Sequence, residues 1–364
     1  MKAGFLTIVW FLLFSHQAVA EGDSTRSPKN RYVVFGVPTL GTAPETGFYF
    51  GAVGLLDIIP RGDSLARHSV VKLELSYTLK NQFIVGAEWL VTNKSRTWMW
   101  IGDNGWLRFP EMYWGIGAGT NEQSGFLYSA NRLELTNAVY RKAGSKFYVG
   151  LHQRLQSVYQ VEIDPANFEK VGRFWPGSEG TVSSGFGLGV LRDSRTNILN
   201  PRAGEVYASI VGLAFGPLAG SAHTFQSLDM EARYYLKVGS HGILAGQGLL
   251  QLKNGDVPFR MMSLLGSDAL MRGYYQGRFR DQSQWAAQLE YRQPIWNWVG
   301  ATAFGSIGNV FSGGVPSLVA KTKYAGGIGL RLRVDKKENT NMRFDYALNA
   351  EGGSGFYVSF GEAF

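Results

Sequence analysis

Residues 271–281 read Met-Arg-Gly-Tyr-Tyr-Gln-Gly-Arg-Phe-Arg-Asp, which sets Arg272, Arg278 and Arg280 among three aromatic rings. A guanidinium is a planar fork of donors that keeps its charge, so this spacing suits carboxylate pairing, ring stacking or phosphate contact. The residues alone leave three readings open: a solvated turn, a nucleic-acid patch, or a plug buried among partners. Other chemistry finds little support. Beyond residue 20 the histidines are His68, His152, His223 and His241, and no serine stands in Gly-x-Ser-x-Gly. His152, in an alternating stretch, reads as a polar wall residue rather than a base. No His-x-His or carboxylate group has metal spacing, and Gly115-x-Gly117-x-Gly119 reads as a small-residue stripe on a strand, not a phosphate loop. The expectation is a chain that is not an enzyme, with no catalytic residues, no metal and no cofactor.

The arginine-rich segment follows a strand-like run, Gly242 to Leu252, and precedes another, Gln284 to Arg292, so it belongs to a long loop. Elsewhere the residues alternate. Met342, Phe344, Tyr346 and Leu348 share one face, and Asn341, Arg343, Asp345 and Ala347 the other. Tyr324, Ile328, Leu330, Leu332 and Val334 stand opposite Gly327, Gly329, Arg331 and Arg333. Leu228, Met230, Ala232, Tyr234 and Leu236 stand opposite Asp229, Glu231, Arg233 and Lys237. Period two with charge on one side gives strands with one wet and one apolar face.

The composition places that apolar face against lipid. Lys2, the apolar run Phe5 to Phe14 and Ala18-Val19-Ala20 before Glu21 form a secretory signal peptide cleaved after Ala20. The chain has no cysteine, so an oxidising destination brings no disulfides. No later run is long enough for a membrane helix, yet aromatics make up 14% and there are 47 glycines. Trp98, Trp100, Trp285, Trp296 and Trp298 fall near segment ends, where an interfacial girdle requires them. The expected fold is all-β: a transmembrane antiparallel β-barrel of about sixteen strands with a long loop directed into the lumen.

Sixteen segments are expected near 47–57, 68–79, 82–92, 96–107, 111–120, 127–142, 146–159, 181–192, 204–216, 224–238, 242–252, 284–293, 299–311, 322–334, 340–349 and 354–364. Connections at Lys80-Asn81, 143–145 and 239–241 are short, whereas 58–67, 160–180, 253–283 and 312–321 are long. Short periplasmic turns and long outer loops alternate in this way in outer-membrane barrels. The expected organisation is a signal peptide (1–20), a short periplasmic segment (21–46) and the barrel (47–364).

Met271-Arg272-Gly273-Tyr274 resembles the Arg-Gly-Tyr/Phe loop motif of the bacterial surface antigen superfamily, the outer-membrane barrels related to BamA and TamA. Further pieces match in order. Asp193-Ser194-Arg195 with Asn200-Pro201-Arg202-Ala203-Gly204 resembles the family's periplasmic signature turn, with Thr196 where a second aspartate is common. Phe364, expected on one face with Phe360, Val358 and Phe356, resembles the C-terminal signal read by the barrel-assembly machinery, and Glu362 on that face departs from it. The resemblance implies that the loop folds into the lumen and that Arg272 latches onto Glu290. Ser306 stands where the family usually has an aspartate, so the latch is expected to keep one carboxylate and lose the other. Arg331, Arg333 and Arg343 are then expected to make the nearby wall strongly basic.

The resemblance implies a role in assembling or translocating membrane proteins or lipids. Only residues 21–46 precede the expected first strand, so a separate periplasmic partner is expected in place of attached polypeptide-transport domains. The other expected partners are outer-membrane lipids and the barrel-assembly machinery. The net charge of +8 is modest, which argues for an anion-attracting interior or lipopolysaccharide contacts and against nucleic acid. The alternative function is a passive anion-preferring outer-membrane pore. The two differ in whether the long loop fills the lumen.

Overall fold

The computed structural model describes residues 31–43, 47–59, 69–79, 81–164, 167, 176–313, 315–335 and 340–364. Its first half contains β1 (Arg31–Ala43), β2 (Gly47–Ile59), β3 (Ser69–Thr78), β4 (Phe83–Thr92), β5 (Trp98–Tyr113), β6 (Phe126–Gly144), β7 (Phe147–Ile163), β8 (Thr181–Asp193) and β9 (Val206–Phe215). The second half contains β10 (Phe225–Val238), β11 (Gly242–Gly255), β12 (Ser263–Leu265), β13 (Phe279–Asp281), β14 (Ser283–Pro294), β15 (Val299–Phe311), β16 (Lys323–Asp335), β17 (Thr340–Asn349) and β18 (Ser354–Phe360). Among the described residues, sixteen of these strands form one antiparallel sheet in sequence order, and β12 and β13 make a separate hairpin.

Burial inverts the pattern of a soluble protein. Leu188, Leu289, Tyr324, Ile328, Tyr346 and Leu348 are exposed, while Arg272, Glu290, Arg331, Arg343 and Asp345 are buried. Charge inside and apolar side chains outside is the arrangement of a sheet that turns one face to lipid. The sheet curls around its own loop. Residues of 256–282 touch β5 through Glu111, β17 through Asp345 and β18 through Tyr357, so distant strands converge on one interior. Trp98, Trp100, Trp296 and Trp298 stay exposed beside the β4–β5 and β14–β15 connections, a partial girdle at one rim.

Two corrections concern the strands. The segment 21–46, expected to be a periplasmic linker, contains β1, which pairs with β2 from Arg31–Ile59 to Ala43–Gly47. Gly36, Pro38 and Gly41 disguise it, but β1 is an edge in the strand order, where a missing N–H is tolerated. The expected strand at 111–120 does not form. β5 continues through Tyr113, after which Gly115 and Gly117 adopt φ +103° and +106°, left-handed conformations outside any strand. The glycine alternation therefore supplies turns, not a stripe.

The two errors cancel in the count and matter for the ends. Following the hairpins from β1, the tight β3–β4 connection lies at the same end as 164–180, 256–282 and 312–322. The β2–β3 connection lies at the other end, with 145–146, 239–241 and 295–298. Both are opposite to expectation, and beyond β5 the long connections gather at the first end, with 194–205 at the other end and the short 350–353 at the first as exceptions. The expected signal peptide with Ala20 lies outside the described residues.

Candidate functional site

The loop 256–282 is fixed around its whole course by named contacts. Arg260 donates to both oxygens of Glu111 on β5, at 2.5 and 3.0 Å, and lies over Tyr128. Lys253 on β11 donates to the Met261 carbonyl (2.6 Å) and to Ser263 Oγ (3.1 Å). Arg278 donates to the hydroxyl and carbonyl of Thr120. Arg280 is buried over the Tyr113 ring, where burial pulls its pKa down and Glu111 opposes that. The segment after β5 closes over the loop, with Gly117 N–H donating to the Arg280 carbonyl at 2.7 Å. This explains why 114–120 leaves the sheet.

At the centre lie Met271 to Tyr274. Met271 is fully buried in an apolar cluster with Leu265, Phe279, Ala286 and Val310. Gly273 has φ +108°, and an added Cβ would stand 3.1 Å from the Leu348 carbonyl, so only glycine fits without strain. Its N–H donates to Tyr357 Oη and its carbonyl accepts from Asn349, which satisfies both buried backbone groups. Tyr274 Oη donates to the Tyr324 carbonyl.

Arg272 then enters an ion cluster on the wall. Its Nη2 lies 2.6 Å from Glu290 on β14 and its Nη1 2.5 Å from Asp345 on β17. The guanidinium carbon stands 3.5 Å above the centre of the Phe304 ring. Arg331 reaches Asp345 at 2.6 Å and Glu362 at 2.7 Å. Arg292 reaches Glu290 at 2.8 Å, and Arg343 reaches Asp268 at 3.0 Å. Gly329 makes room, since a Cβ there would lie 2.1 Å from Asp345 Oδ1.

Two readings of the sequence are corrected here. Arg272 has two carboxylates, not one, because Asp345 supplies the second from a strand that the resemblance did not point to. Ser306 is buried on the same face of β15 as Phe304, and its hydroxyl bonds to the Ala325 carbonyl. The wall is not left strongly basic, since Arg272, Arg292, Arg331 and Arg343 face Glu290, Asp345, Glu362 and Asp268. Arg333 stands outside this cluster, half-buried, its backbone N–H donating to the Trp298 carbonyl. Across the barrel, Lys72 pairs with Glu88 at 2.7 Å, and Glu74, Asp103 and Glu134 add acidic character to that wall. His152 shares a hydrogen bond with Tyr140.

The turn between β8 and β9 is locked by carboxylates. Asp193 grips Arg195 at 2.9 and 3.0 Å, and Arg195 lies over Tyr207. Glu205, missed in the sequence, accepts from Thr196 N and Oγ1 and from Arg202 N. Asn200 and Pro201 are buried, while Gly204 takes φ +86° and donates to the Tyr235 carbonyl. Phe364 is not on the outward face of Phe356 and Val358. The chain turns inward after β18, and Phe364 is buried against Tyr235 and Ala245.

A family model for the Omp85 superfamily domain matches residues 128–364. The chain belongs to the Omp85 superfamily. The resemblance read from the sequence and the barrel fold are thereby borne out. BamA from Haemophilus ducreyi, in a form lacking POTRA domains 1–3, is similar in structure, with TM-score 0.57 and 15% identity. The match covers 91% of this chain and 69% of that one. CdiB from Acinetobacter baumannii (TM-score 0.56, 10% identity) is covered over 58% of its length by 90% of this chain. CdiB from Escherichia coli (TM-score 0.58, 10% identity) is covered over 61% by 92%. This Omp85 chain thus spans less than two thirds of either CdiB. None of the curated proteins matches it.

Proposed function

We propose that this Omp85 barrel acts in the outer membrane in assembling or translocating membrane proteins or lipids, with a separate periplasmic partner and without chemistry of its own. The observation that carries the reading is the filled lumen. A passive pore needs an open path, whereas here one loop spans the interior and is tied to β5, β11, β14 and β17 by buried charge. Arg331 and Arg343, two of the three arginines that would have made a pore anion-preferring, are engaged with carboxylates. The sheet also leaves β1 and β18 at the ends of its strand order, and an edge strand presents backbone groups that can template another chain.

Photo-crosslinking in living cells tests this. A photoreactive residue replacing the exposed Val34 on β1 should capture polypeptide or lipid clients, and one replacing Leu188 in mid-sheet should capture only bulk lipid. Equal adducts at both positions, together with steady large single-channel currents from the pure protein in planar bilayers, would move the reading to a pore.

Orientation is a separate expected outcome. The end carrying 164–180, 256–282 and 312–322 should face outward. A cysteine replacing the fully exposed Leu218, at that end, should react with an impermeant maleimide on whole cells, and one replacing His241 should not. The reverse pattern would invert the topology.

A further inference from the structure

The loop arginine and the segment after β18 meet in the same ion cluster. Gly361 turns the chain with φ +83°, its N–H donating to the Asn341 carbonyl and that of Glu362 to the Leu199 carbonyl in the β8–β9 turn. Glu362 then accepts from Arg331 at 2.7 Å and from Asn341 at 2.7 Å. The Phe364 carbonyl accepts from Arg292 Nη2 at 3.0 Å, and its ring stacks on Tyr235 and under Arg292. Arg331 and Arg292 are the same two side chains that hold Asp345 and Glu290, the acceptors of Arg272. Among the described residues, the contacts that connect 361–364 to the loop run through side chains of the wall. They communicate through two shared arginines.

We propose that residues 361–364 form a second bolt of the lumen, coupled to the loop so that each holds the other in place. If Arg272 leaves, Glu290 and Asp345 each lose a partner, and Arg292 and Arg331 are drawn toward the uncompensated carboxylates and away from the Phe364 carbonyl and Glu362. If Glu362 leaves, Arg331 loses one acceptor and competes with Arg272 for Glu290 and Asp345. Shared ligands in a buried cluster make the two departures one cooperative event rather than two independent ones. Because β18 ends the strand order, opening at that edge and emptying of the lumen would be linked. This coupling stands or falls independently of what the barrel transports.

Cysteine accessibility in the full chain, reconstituted in lipid nanodiscs, tests the coupling in both directions. Ala363→Cys reports the segment and Leu270→Cys the loop, since both side chains pack against buried clusters. Leu218→Cys, fully exposed, serves as control. Arg272→Ala should speed maleimide labelling at 363 about tenfold, and Glu362→Gln should speed it at 270 by a similar factor, because coupling is reciprocal. Labelling at 218 should not change. If Arg272→Ala fails to fold, Arg272→Lys keeps the charge without the fork and should move both reporters in the same direction. A rise at 270 with no change at 363 in either loop variant would overturn the proposal. So would a rise at 363 with no change at 270 in Glu362→Gln.

Discussion

Arg272→Ala should be the most damaging single truncation in this barrel. It leaves Glu290 and Asp345, both fully buried, short of a partner that lies within 2.6 Å of each. Removing one side of a buried ion pair costs about 3–5 kcal/mol, because the remaining charge stays desolvated. Loss of the contact over Phe304 adds to this, a buried cation–π contact being worth about 2 kcal/mol. The folded form that resists SDS without heating should melt at a lower temperature, and single-channel currents should grow as the loop loosens. Arg272→Lys should recover part of the loss, since an ammonium can reach one carboxylate but not fork between two. An Arg272→Ala protein with unchanged melting and unchanged conductance would show that the loop is held by Arg260, Lys253 and Arg278 alone.

Much of this was legible in the residues. The period-two faces separated Asp345 and Arg343 from Tyr346 and Leu348 correctly, because a lipid-facing strand has no other place for charge. What alternation does not encode is which strand reaches which across a lumen. Asp345 was assigned to the right face without its partner, since Arg272 lies 73 positions away and meets it only through the folded loop. Glu290, 18 positions away on the next strand of the sheet, was within reach of the motif. Composition misled twice. At 115 and 117 glycine supplies left-handed turns that imitate an alternating stripe, and the Ser, Pro, Lys and Arg content of 21–46 gave the stretch holding β1 the look of a linker. Glu362 was read as a flaw on an outward face because nothing in β18 announces that the chain turns inward at Gly361.

Asp345→Ala should cost nearly as much as Arg272→Ala, and Ser306→Asp should not compensate. Asp345 accepts from Arg272 and Arg331, at 2.5 and 2.6 Å, and Arg343 lies 3.6 Å away. Without it, three guanidiniums crowd one site with Glu290, Glu362 and Asp268 left to share them, so both lost acceptance and like-charge repulsion count. The expected loss is again about 3–5 kcal/mol, read as a fall in the heat-modification midpoint. Ser306 stands two positions beyond Phe304 on β15, roughly 6.6 Å along the strand, and its hydroxyl is committed to the Ala325 carbonyl. A carboxylate placed there meets no spare guanidinium, because both acceptors of Arg272 are already in place. Ser306→Asp alone should therefore be neutral or destabilising, and Asp345→Ala with Ser306→Asp should melt no higher than Asp345→Ala. A double variant restored to the parent midpoint would mean that the loop can swing Arg272 to β15. The cluster on β14 and β17 would then be one of two latch positions rather than the one that holds the lumen closed.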